Sequence, residues 1–279
     1  MTNIIELRTA QTGYIKTLVD TLGTLLEYLL ITFKPPTKYY DEDTGEEIIV
    51  DGGIYIKEVN KKGELLISCV LNNFEEYNYN HTDDKYIIGI KLDNLLACLK
   101  CMTNYDTMSW MIEESDSNNL TIILESIEKN EKKIFRINLM DIDEDPYDIE
   151  DENFPFEIIL PTVDFQKYIK NMTSIGVNKM EIKCTETKLF LTGLGEVGKA
   201  EFDIGETLDG LRIVVDSTSK NEIVQGLFEL KYLLSFTKCT GLCSDVHLFL
   251  KNDFPLIVSY NVGTLGTIRL ILSPYNNEY

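Results

Sequence analysis

Residues 89–101 read GIKLDNLLACLKC, and residues 227–239 read LFELKYLLSFTKC. Matching positions in the two stretches lie 138 residues apart, and they pair Leu92, Leu95, Leu96, Lys100 and Cys101 with Leu230, Leu233, Leu234, Lys238 and Cys239. The leucines recur at i, i+3 and i+4, which is the spacing of one apolar helix face, and the lysine falls outside that face. Each stretch therefore predicts a short amphipathic helix that the chain uses twice.

A second echo supports an internal repeat. Tyr14-Ile15-Lys16 recurs as Tyr168-Ile169-Lys170, 154 residues further on. The acidic segment Pro35 to Gly53, in which Asp43-Thr44-Gly45 predicts a hairpin turn, has no counterpart in the second half. Removing roughly that insertion brings both echoes to one offset. The pattern predicts two copies of one unit, each with two helices.

Length and composition favour two globular domains. A chain of 279 residues can bury two cores of ordinary size. No apolar run reaches the length of a membrane span, and the opening MTNIIELRTA lacks the apolar region of a signal peptide. We therefore expect an intracellular protein with no membrane partner, whose cysteines are reduced thiols.

The formal net charge of −20 argues against binding of nucleic acid or anionic membrane through overall electrostatic attraction. A local basic surface stays compatible with that charge. Cations recur on all four predicted helices, and these are Lys16, Lys100, Lys167, Lys170, Lys231 and Lys238. The alternative is that these lysines are unrelated, solvated side chains.

The first half of the chain combines two helices with β-strands. Its first helix is expected to open at Thr12, to keep helical period through Leu30 and to end at Pro35-Pro36. Asp93 is the expected N-cap of the second helix. Runs rich in β-branched and apolar residues fill the intervening sequence with predicted strands, among them residues 53–59 and 64–71 with a turn at Lys61-Lys62-Gly63 between them.

The second half repeats this plan. Its third helix is expected to start at Pro161-Thr162 and to bury Phe165, Ile169 and Met172. Its fourth is expected over residues 230–236, with Lys231 and Lys238, seven residues apart, on one side. The predicted class is therefore α+β, with two similar domains of antiparallel sheet and two short helices each.

A linker is predicted between the two units. Residues 140–154, MDIDEDPYDIEDENF, are too acidic and too poor in apolar side chains to form a core element. We accordingly expect an N-terminal domain at 1–138, with the insertion at about 35–53, a linker at 139–154 and a C-terminal domain at 155–279.

Two motifs suggest ligand sites that their surroundings do not support. The glycines of GLGEVG at residues 193–198 match the dinucleotide-binding pattern, but the sequence after them alternates like a strand, which favours a hairpin. Cys98-x-x-Cys101 and Cys239-x-x-x-Cys243 could together supply a four-thiolate zinc site. Because Cys101 and Cys239 are equivalent positions of different units, the repeat argues against that site.

The linker carboxylates Asp141, Asp143 and Asp145, with Glu152, resemble a calcium loop and could also be proposed as a two-metal nuclease centre. Pro146 stands where a calcium loop needs glycine, and catalytic carboxylates usually come from separated, rigid elements. The chain has two histidines and no GxxxxGK[ST] or GxSxG pattern. We expect no enzyme, metal or cofactor, and a nuclease is kept as the alternative from a different class.

Several stretches together resemble one family, the eukaryotic type of sliding clamp known as proliferating cell nuclear antigen (PCNA). Leu139 to Asp143 is similar to the start of the family's linker, and Phe165 to Gly176 is similar to its third helix and following turn. Leu230 to Lys238 resembles its fourth helix, while Pro255 to Val258 and Leu272 to Pro274 resemble its C-terminal signatures. The resemblance extends over most of the chain.

The resemblance implies a clamp fold, head-to-tail trimerisation into a ring, and a central hole for duplex DNA that the six helix lysines face. Loose, sequence-independent phosphate contacts allow a ring to slide, and topological retention makes tight binding unnecessary. The implied partners are duplex DNA, a DNA polymerase, a clamp loader and other replication and repair proteins with clamp-binding peptides. The implied location is the nucleus, or a site of viral DNA replication.

The resemblance also implies two protein interfaces. An apolar pocket for partner peptides is expected at Val59, Leu66, Tyr147, Ile149, Phe254, Pro255, Ile271, Ser273 and Pro274. The ring joint is expected to pair residues 130–137 of one subunit with residues 197–204 of the next, through Lys133, Phe135, Ile137, Val197, Ala200 and Phe202. Such a head-to-tail contact closes into a ring only if its rotation is right.

The sequence departs from the family at several points. The insertion and the acidity of the linker are foreign to the family pattern. Thr17, Gly23 and Ala97 stand at positions that are often basic, so the hole would be less positive. Tyr147 is larger than the usual aliphatic residue, which alters the peptide that the pocket would prefer. Such divergence would suit a viral or protist replication system, and the alternative function is a clamp-fold monomer, an accessory subunit or interaction hub, that does not encircle DNA.

Overall fold

The computed structural model describes residues 3–40, 45, 47–102, 107–140, 154–216 and 222–275. The chain divides into two compact units. Unit 1 comprises Met1–Glu58, Ser68–Tyr147 and Val262–Thr267, and unit 2 comprises Val59–Ile67, Asp148–Asn261 and Ile268–Tyr279. The expected domain boundaries at 138 and 155 stay a prediction.

Two helices and eleven strands lie in the described residues between 3 and 140. In chain order they are β1 (Asn3–Thr9), α1 (Thr12–Leu25), β2 (Tyr28–Lys34), β3 (Thr37–Tyr40), β4 (Glu47–Val50), β5 (Gly53–Val59), β6 (Leu65–Leu71), β7 (Glu76–Tyr79), β8 (Tyr86–Lys91), α2 (Leu92–Lys100), β9 (Thr107–Glu113), β10 (Asp116–Ser126) and β11 (Glu131–Asn138).

The described residues between 154 and 275 repeat the strand-and-helix plan. In chain order they form β12 (Phe156–Pro161), α3 (Thr162–Ser174), β13 (Lys179–Cys184), β14 (Lys188–Leu194), β15 (Lys199–Gly205), β16 (Arg212–Val215), β17 (Val224–Glu229), α4 (Leu230–Phe236), a 3-10 helix (Thr237–Gly241), β18 (Asp245–Leu250), β19 (Leu256–Asn261) and β20 (Gly266–Leu272).

Unit 1 contains a five-stranded antiparallel sheet in the order β11-β10-β9-β1-β7. Strand β2 separately pairs with β5 and with β8. The apolar side chains alternate along β1, where Ile5 and Leu7 are buried. Helices α1 and α2 bury Ile15, Leu22 and Leu95, so their other faces are left for solvent.

Unit 2 contains a four-stranded antiparallel sheet in the order β15-β14-β13-β17. Strand β12 pairs with β16 and β18, and β18 pairs with β19. Helix α3 is tied to the segment that follows α4. Gln166 Nε2 donates to the Thr237 carbonyl at 3.1 Å, and Thr162 Oγ1 donates to the Cys243 carbonyl at 3.0 Å.

Most predicted elements are confirmed. Helix α4 has the predicted bounds, α3 begins at Thr162 and buries the predicted face, and β5 spans the predicted residues 53–59. The insertion contains an antiparallel hairpin, β3 with β4, as predicted, although residues 41–44 and 46 of its turn lie outside the described residues. The GLGEVG segment joins β14 to β15 as a hairpin, where the Gly195 amide donates to the Gly198 carbonyl at 2.9 Å.

The predicted end of the first helix is wrong. Helix α1 stops at Leu25, the backbone turns to extended geometry at Leu26, and Leu29 and Leu30 belong to β2. Residues 29–33 of β2 are all buried, so an apolar run that keeps helical period is here an interior strand. Pro35-Pro36 therefore follows a strand and does not terminate a helix.

The predicted role of Asp93 as an N-cap is also wrong. Helix α2 begins one residue earlier, at Leu92, and Lys91 holds the cap position without a side-chain hydrogen bond. Asp93 lies in the first turn, where a carboxylate interacts favourably with the positive end of the helix dipole.

The internal repeat between the first and third helices was predicted in the wrong register. Helices α2 and α4 begin at Leu92 and Leu230, which confirms the offset of 138. Helices α1 and α3 instead match at an offset of 150, and this pairs the buried residues Thr12, Ile15, Val19 and Leu22 with Thr162, Phe165, Ile169 and Met172. The predicted offset of 154 differs by one helical turn, because residues four apart lie on the same face.

Candidate nucleic-acid interface

Helix α3 presents two lysines on its solvent side. Lys167 and Lys170 are both exposed, and they lie three residues apart on the same face of the helix. The opposite face is fixed by the buried Phe165 and Ile169. The local sequence therefore forces both ammonium groups outward, where they can contact an anion.

The Lys231 ammonium of α4 is engaged by its neighbour. It forms an ion pair with the carboxylate of Glu229, the residue before the helix, and it lies 4.6 Å from the centre of the Tyr232 ring. The hydrogen bond to Glu229 raises the pKa of Lys231 above its ordinary value. A phosphate that approached Lys231 would have to compete with this carboxylate.

The remaining predicted lysines lie in three different settings. Lys100 is the last residue of α2 and is exposed, while Lys16 of α1 is half-buried. Lys238 is exposed, but it belongs to the 3-10 helix, because α4 ends at Phe236. The assumption that Lys231 and Lys238 share one α-helical face is therefore wrong.

A polar network that the sequence did not predict anchors α4 to the turn after β5. Tyr232 donates a short hydrogen bond to the Glu64 carboxylate and accepts one from Asn60 Nδ2 at 3.1 Å. Asn60 Oδ1 in turn accepts from the Glu64 amide at 2.9 Å. Burial, and then the bond to Glu64, raise the pKa of Tyr232. The only part of this network's surroundings that the sequence predicted was the turn at Lys61-Lys62-Gly63.

A cavity of about 360 Å³ opens beside Lys231 in unit 2. Thr173, Lys179, Glu229 and Leu234 contribute to its lining. This cavity mixes both charge signs with apolar groups, and none of the residues predicted to bind partner peptides lines it.

Both strands of the predicted ring joint are outer strands of their sheets. β11 lies at one edge of the five-stranded sheet, and β15 lies at one edge of the four-stranded sheet. An outer strand has backbone hydrogen-bonding groups available for another chain. The residues predicted for the joint are Lys133, Phe135 and Ile137 in β11, Ala200 and Phe202 in β15, and Val197 just before β15.

The predicted joint residues differ in exposure. Val197 is 80% exposed, whereas Phe135, Ala200 and Phe202 are half-buried. Ile137 is only 4% exposed, so it contributes to the core of its own unit rather than to an open surface. Phe202 packs toward α3, with its ring centre 6.0 Å from that of Tyr168.

The two outer strands carry opposite net charge. β11 contains Lys132, Lys133 and Arg136 against one glutamate, a net charge of +2, and β15 contains Glu201 and Asp203 against one lysine, a net charge of −1. Several of these groups have partners in their own unit: Lys132 lies 2.9 Å from Glu125, and Asp203 lies 2.9 Å from Lys188.

The predicted peptide pocket falls mainly in described parts of unit 2. Val59, Leu66, Phe254, Pro255, Ile271 and Pro274 are half-buried and Ser273 is exposed, while Tyr147 and Ile149 lie outside the described residues. Phe254 packs against Phe154 with ring centres 5.8 Å apart. The Ser273 amide donates to the Glu64 carbonyl at 3.0 Å, which places the end of β20 beside the start of β6.

The alternative ligand sites gain no support from the described geometry. Cys98 and Cys101 belong to unit 1, and Cys239 and Cys243 belong to unit 2. Within the described ranges, no three His, Cys, Asp or Glu side chains are grouped so that they could hold a metal ion. The linker carboxylates Asp141, Asp143 and Asp145 lie outside the described residues.

No helix in the described part of the chain is long and apolar enough to cross a membrane.

Comparisons with known proteins identify similarity along the whole chain. The family models for the N-terminal and C-terminal domains of proliferating cell nuclear antigen match residues 44–147 and 148–275. A probable DNA polymerase sliding clamp 1 of Paramecium bursaria Chlorella virus 1 is 27% identical over 274 residues, which covers 97% of each chain. Proliferating cell nuclear antigen of Dictyostelium discoideum is 28% identical over 257 residues, covering 90% of this chain and 96% of that one. The crystal structure of the Entamoeba histolytica protein of that name covers 99% of this chain and 100% of that one, with a TM-score of 0.81 and 21% identity, which shows a common fold.

Proposed function

Since the chain belongs to the proliferating cell nuclear antigen family, we propose that it is a DNA sliding clamp, a processivity factor that tethers a DNA polymerase to duplex DNA. The observation that carries this proposal is the match of both family domains, in order, along residues 44–275. The described fold agrees with this proposal, because each unit combines antiparallel sheet with two short helices.

We propose that three copies close into a ring by pairing β11 of one copy with β15 of the next. Both strands are outer strands, and their opposite net charges favour a head-to-tail contact over a contact between two like strands. Half-buried Phe135 and Phe202 would become fully covered in such a joint, which would add apolar burial to the backbone pairing.

The helix lysines would contact DNA in the hole of this ring. Lys167, Lys170, Lys100 and Lys238 are exposed, so they can reach phosphate without rearranging a core. A few exposed ammonium groups give weak, sequence-independent contacts, which a ring that is held topologically needs in order to slide. The rest of the surface, in a chain of net charge −20, would repel DNA.

Partner proteins would dock through short peptides at the surface formed by β6, β20 and the loop around Phe254. The half-buried Leu66, Ile271 and Phe254 provide apolar surface there. This function requires no catalytic group and no cofactor, so we propose that the chain is not an enzyme. Its partners would be a polymerase, a clamp loader and other replication and repair proteins, in the nucleus or at a viral replication site.

The first test is the solution mass, measured by light scattering on a size-exclusion column over a range of concentrations. The chain mass is 32.0 kDa, so a closed trimer would run at three times 32.0 kDa, about 96 kDa, and should persist on dilution. A monomer at every concentration would overturn the preformed ring. The monomeric accessory subunit would then be the better description.

The second test is polymerase processivity on circular primed DNA. Lys167→Glu with Lys170→Glu should abolish stimulation while leaving the trimer mass unchanged. Lys62→Glu with Lys85→Glu changes the same amount of charge at two exposed loop positions and is the matched control. Equal activity of the two double variants would contradict DNA contact through α3.

A further inference from the structure

The two units place opposite charges at equivalent positions of their first helices. Helices α1 and α3 align at an offset of 150 through their first residues and buried faces. This alignment pairs Thr17 with Lys167 and Asp20 with Lys170. Asp20 and Lys170 are both exposed, so each points to solvent from the same place on its helix.

The charge on the two helices differs accordingly. Helix α1 carries Lys16 and Asp20, a net charge of zero, and Lys16 is half-buried. Helix α3 carries Asp164, Lys167 and Lys170, a net charge of +1, with both lysines exposed. Among the described residues, Asp20 forms no ion pair, and Lys16, one helical turn before it, is half-buried.

We infer that the first helices of the two units act oppositely on duplex DNA, with Lys167 and Lys170 of α3 contacting phosphate and Asp20 of α1 repelling phosphate at the position that matches Lys170. This inference rests on the proposed function and adds a specific role for Asp20. Its basis is the internal repeat: the same backbone site bears a cation in one unit and an anion in the other.

Lys231 shows a similar contrast between α3 and α4. Its ion pair with Glu229 occupies the ammonium, whereas Lys167 and Lys170 have no ion pair within the described residues. Alternating attraction and repulsion would limit the number of simultaneous phosphate contacts. Fewer contacts give a weaker salt-dependent affinity and a smoother path for sliding.

The inference is tested with a fluorescently labelled blunt 30-base-pair duplex, whose binding is followed by anisotropy at several salt concentrations. The variants are Asp20→Lys, Asp20→Asn, Lys170→Asp and the exchange Asp20→Lys with Lys170→Asp. Glu114→Lys, at an exposed residue between β9 and β10 of unit 1, makes the same charge change away from both helices and is the matched control.

Asp20→Lys should tighten binding at moderate salt by about 3- to 10-fold and steepen the dependence of log affinity on log salt, because it adds a phosphate contact. Asp20→Asn should produce a smaller gain in the same direction. Lys170→Asp should weaken binding by about as much, and the exchange variant should return close to the original affinity. Glu114→Lys should stay within about 2-fold of the original chain.

If Asp20→Lys behaves like Glu114→Lys while Lys170→Asp weakens binding, the repulsive role of Asp20 is overturned and the clamp function stands. If neither Asp20→Lys nor Lys170→Asp changes binding, but the original chain forms trimers and stimulates polymerase, the opposite action of α1 and α3 on DNA is overturned alone. Failure of the original chain to trimerise and to stimulate polymerase would instead overturn the proposed function itself.

Discussion

A β-carbon added to Gly23 would lie 2.6 Å from Cδ1 of Leu96, so α1 and α2 approach each other closely at this point. The close approach gives a structural reason for glycine where the family resemblance implies a basic residue. A lysine at position 23 would have to displace the Leu96 side chain before it could reach solvent. The equivalent residue of α3 is Thr173, which lines the cavity beside Lys231.

Gly23→Ala should therefore show strong coupling to Leu96. Without other contacts, replacing glycine by alanine in a helix interior stabilises the helix by about 1 kcal/mol. The clash with Leu96 should offset that gain, so Gly23→Ala alone should be neutral or destabilising by about 1 kcal/mol. In a Leu96→Ala background the same change should stabilise the protein by about 1 kcal/mol. Urea unfolding of the four chains measures the coupling, and strictly additive effects would contradict the close packing.

The sequence correctly predicted the elements whose apolar pattern is compatible with only one kind of secondary structure. Helix α4 and β5 have their predicted bounds, because their apolar periodicity ends where the element ends. The apolar run through Leu29 and Leu30 has two readings, since a fully buried strand and a buried helix segment look alike over a few residues. Burial of every residue from 29 to 33 decides for the strand, and this is a tertiary property.

The candidate site shows the same limit. Exposure of Lys167 and Lys170 followed from helical spacing, because the buried Phe165 and Ile169 fix the opposite face. The ion pair between Lys231 and Glu229 did not follow from the sequence, because it depends on how β17, which ends at Glu229, leads into α4. The inverted pair Asp20 and Lys170 was hidden by an offset that was wrong by one helical turn.

Releasing Lys231 from its ion pair should strengthen DNA binding. Glu229→Gln removes the carboxylate but keeps the shape of the side chain, so the ammonium becomes available to phosphate. We expect an affinity gain of about 2- to 5-fold for the duplex probe and a steeper salt dependence. The free energy of unfolding should change by less than about 1 kcal/mol, because the lysine is exposed.

Glu114→Gln is the control for this prediction, because it removes an exposed carboxylate in unit 1 that is far along the chain from α4. Anisotropy titrations at three salt concentrations compare the two variants. If Glu229→Gln binds no better than Glu114→Gln, Lys231 does not face DNA.

Charge reversal on one outer strand should prevent assembly of the proposed ring, and reversal on both should restore it. Lys132→Glu with Arg136→Glu makes β11 negative, so it would face a negative β15 of the next copy. Like charges placed opposite each other cost several kcal/mol at an interface, so this variant should be monomeric at low micromolar concentration. Glu201→Lys with Asp203→Lys should have the same effect.

The chain with all four reversals is the decisive variant, because its strands are again opposite in charge. Light scattering should return it to the trimer mass. Salt provides an independent check, since raising sodium chloride to about 1 M screens such contacts and should lower the mass of the original chain on dilution. Loss of the trimer in all three variants would mean that these side chains act through folding of their own strands and not through the joint.

Alkaline pH should destabilise the protein through a buried thiol. Burial, and then the nearby Glu206, raise the pKa of Cys184 from its ordinary value of 9.0 to about 12. Because folding raises this pKa, the thiol's contribution to stability is fully present at pH values below its pKa in the unfolded chain. The contribution is lost as the pH rises toward its pKa in the folded protein. Between pH 9 and 12 the unfolded thiol ionises first, so the free energy of unfolding should fall by up to roughly 1.4 kcal/mol per pH unit.

Cys184→Ala should be less stable at pH 7.5 because it leaves a cavity, but its decline in the free energy of unfolding between pH 8.5 and 10 should be shallower by about 1 kcal/mol. Cys101→Ala, which removes an exposed thiol, is the matched control and should keep the original slope. Urea unfolding at the three pH values measures both slopes, and parallel declines for Cys184→Ala and the original chain would show that Cys184 does not carry this pH dependence.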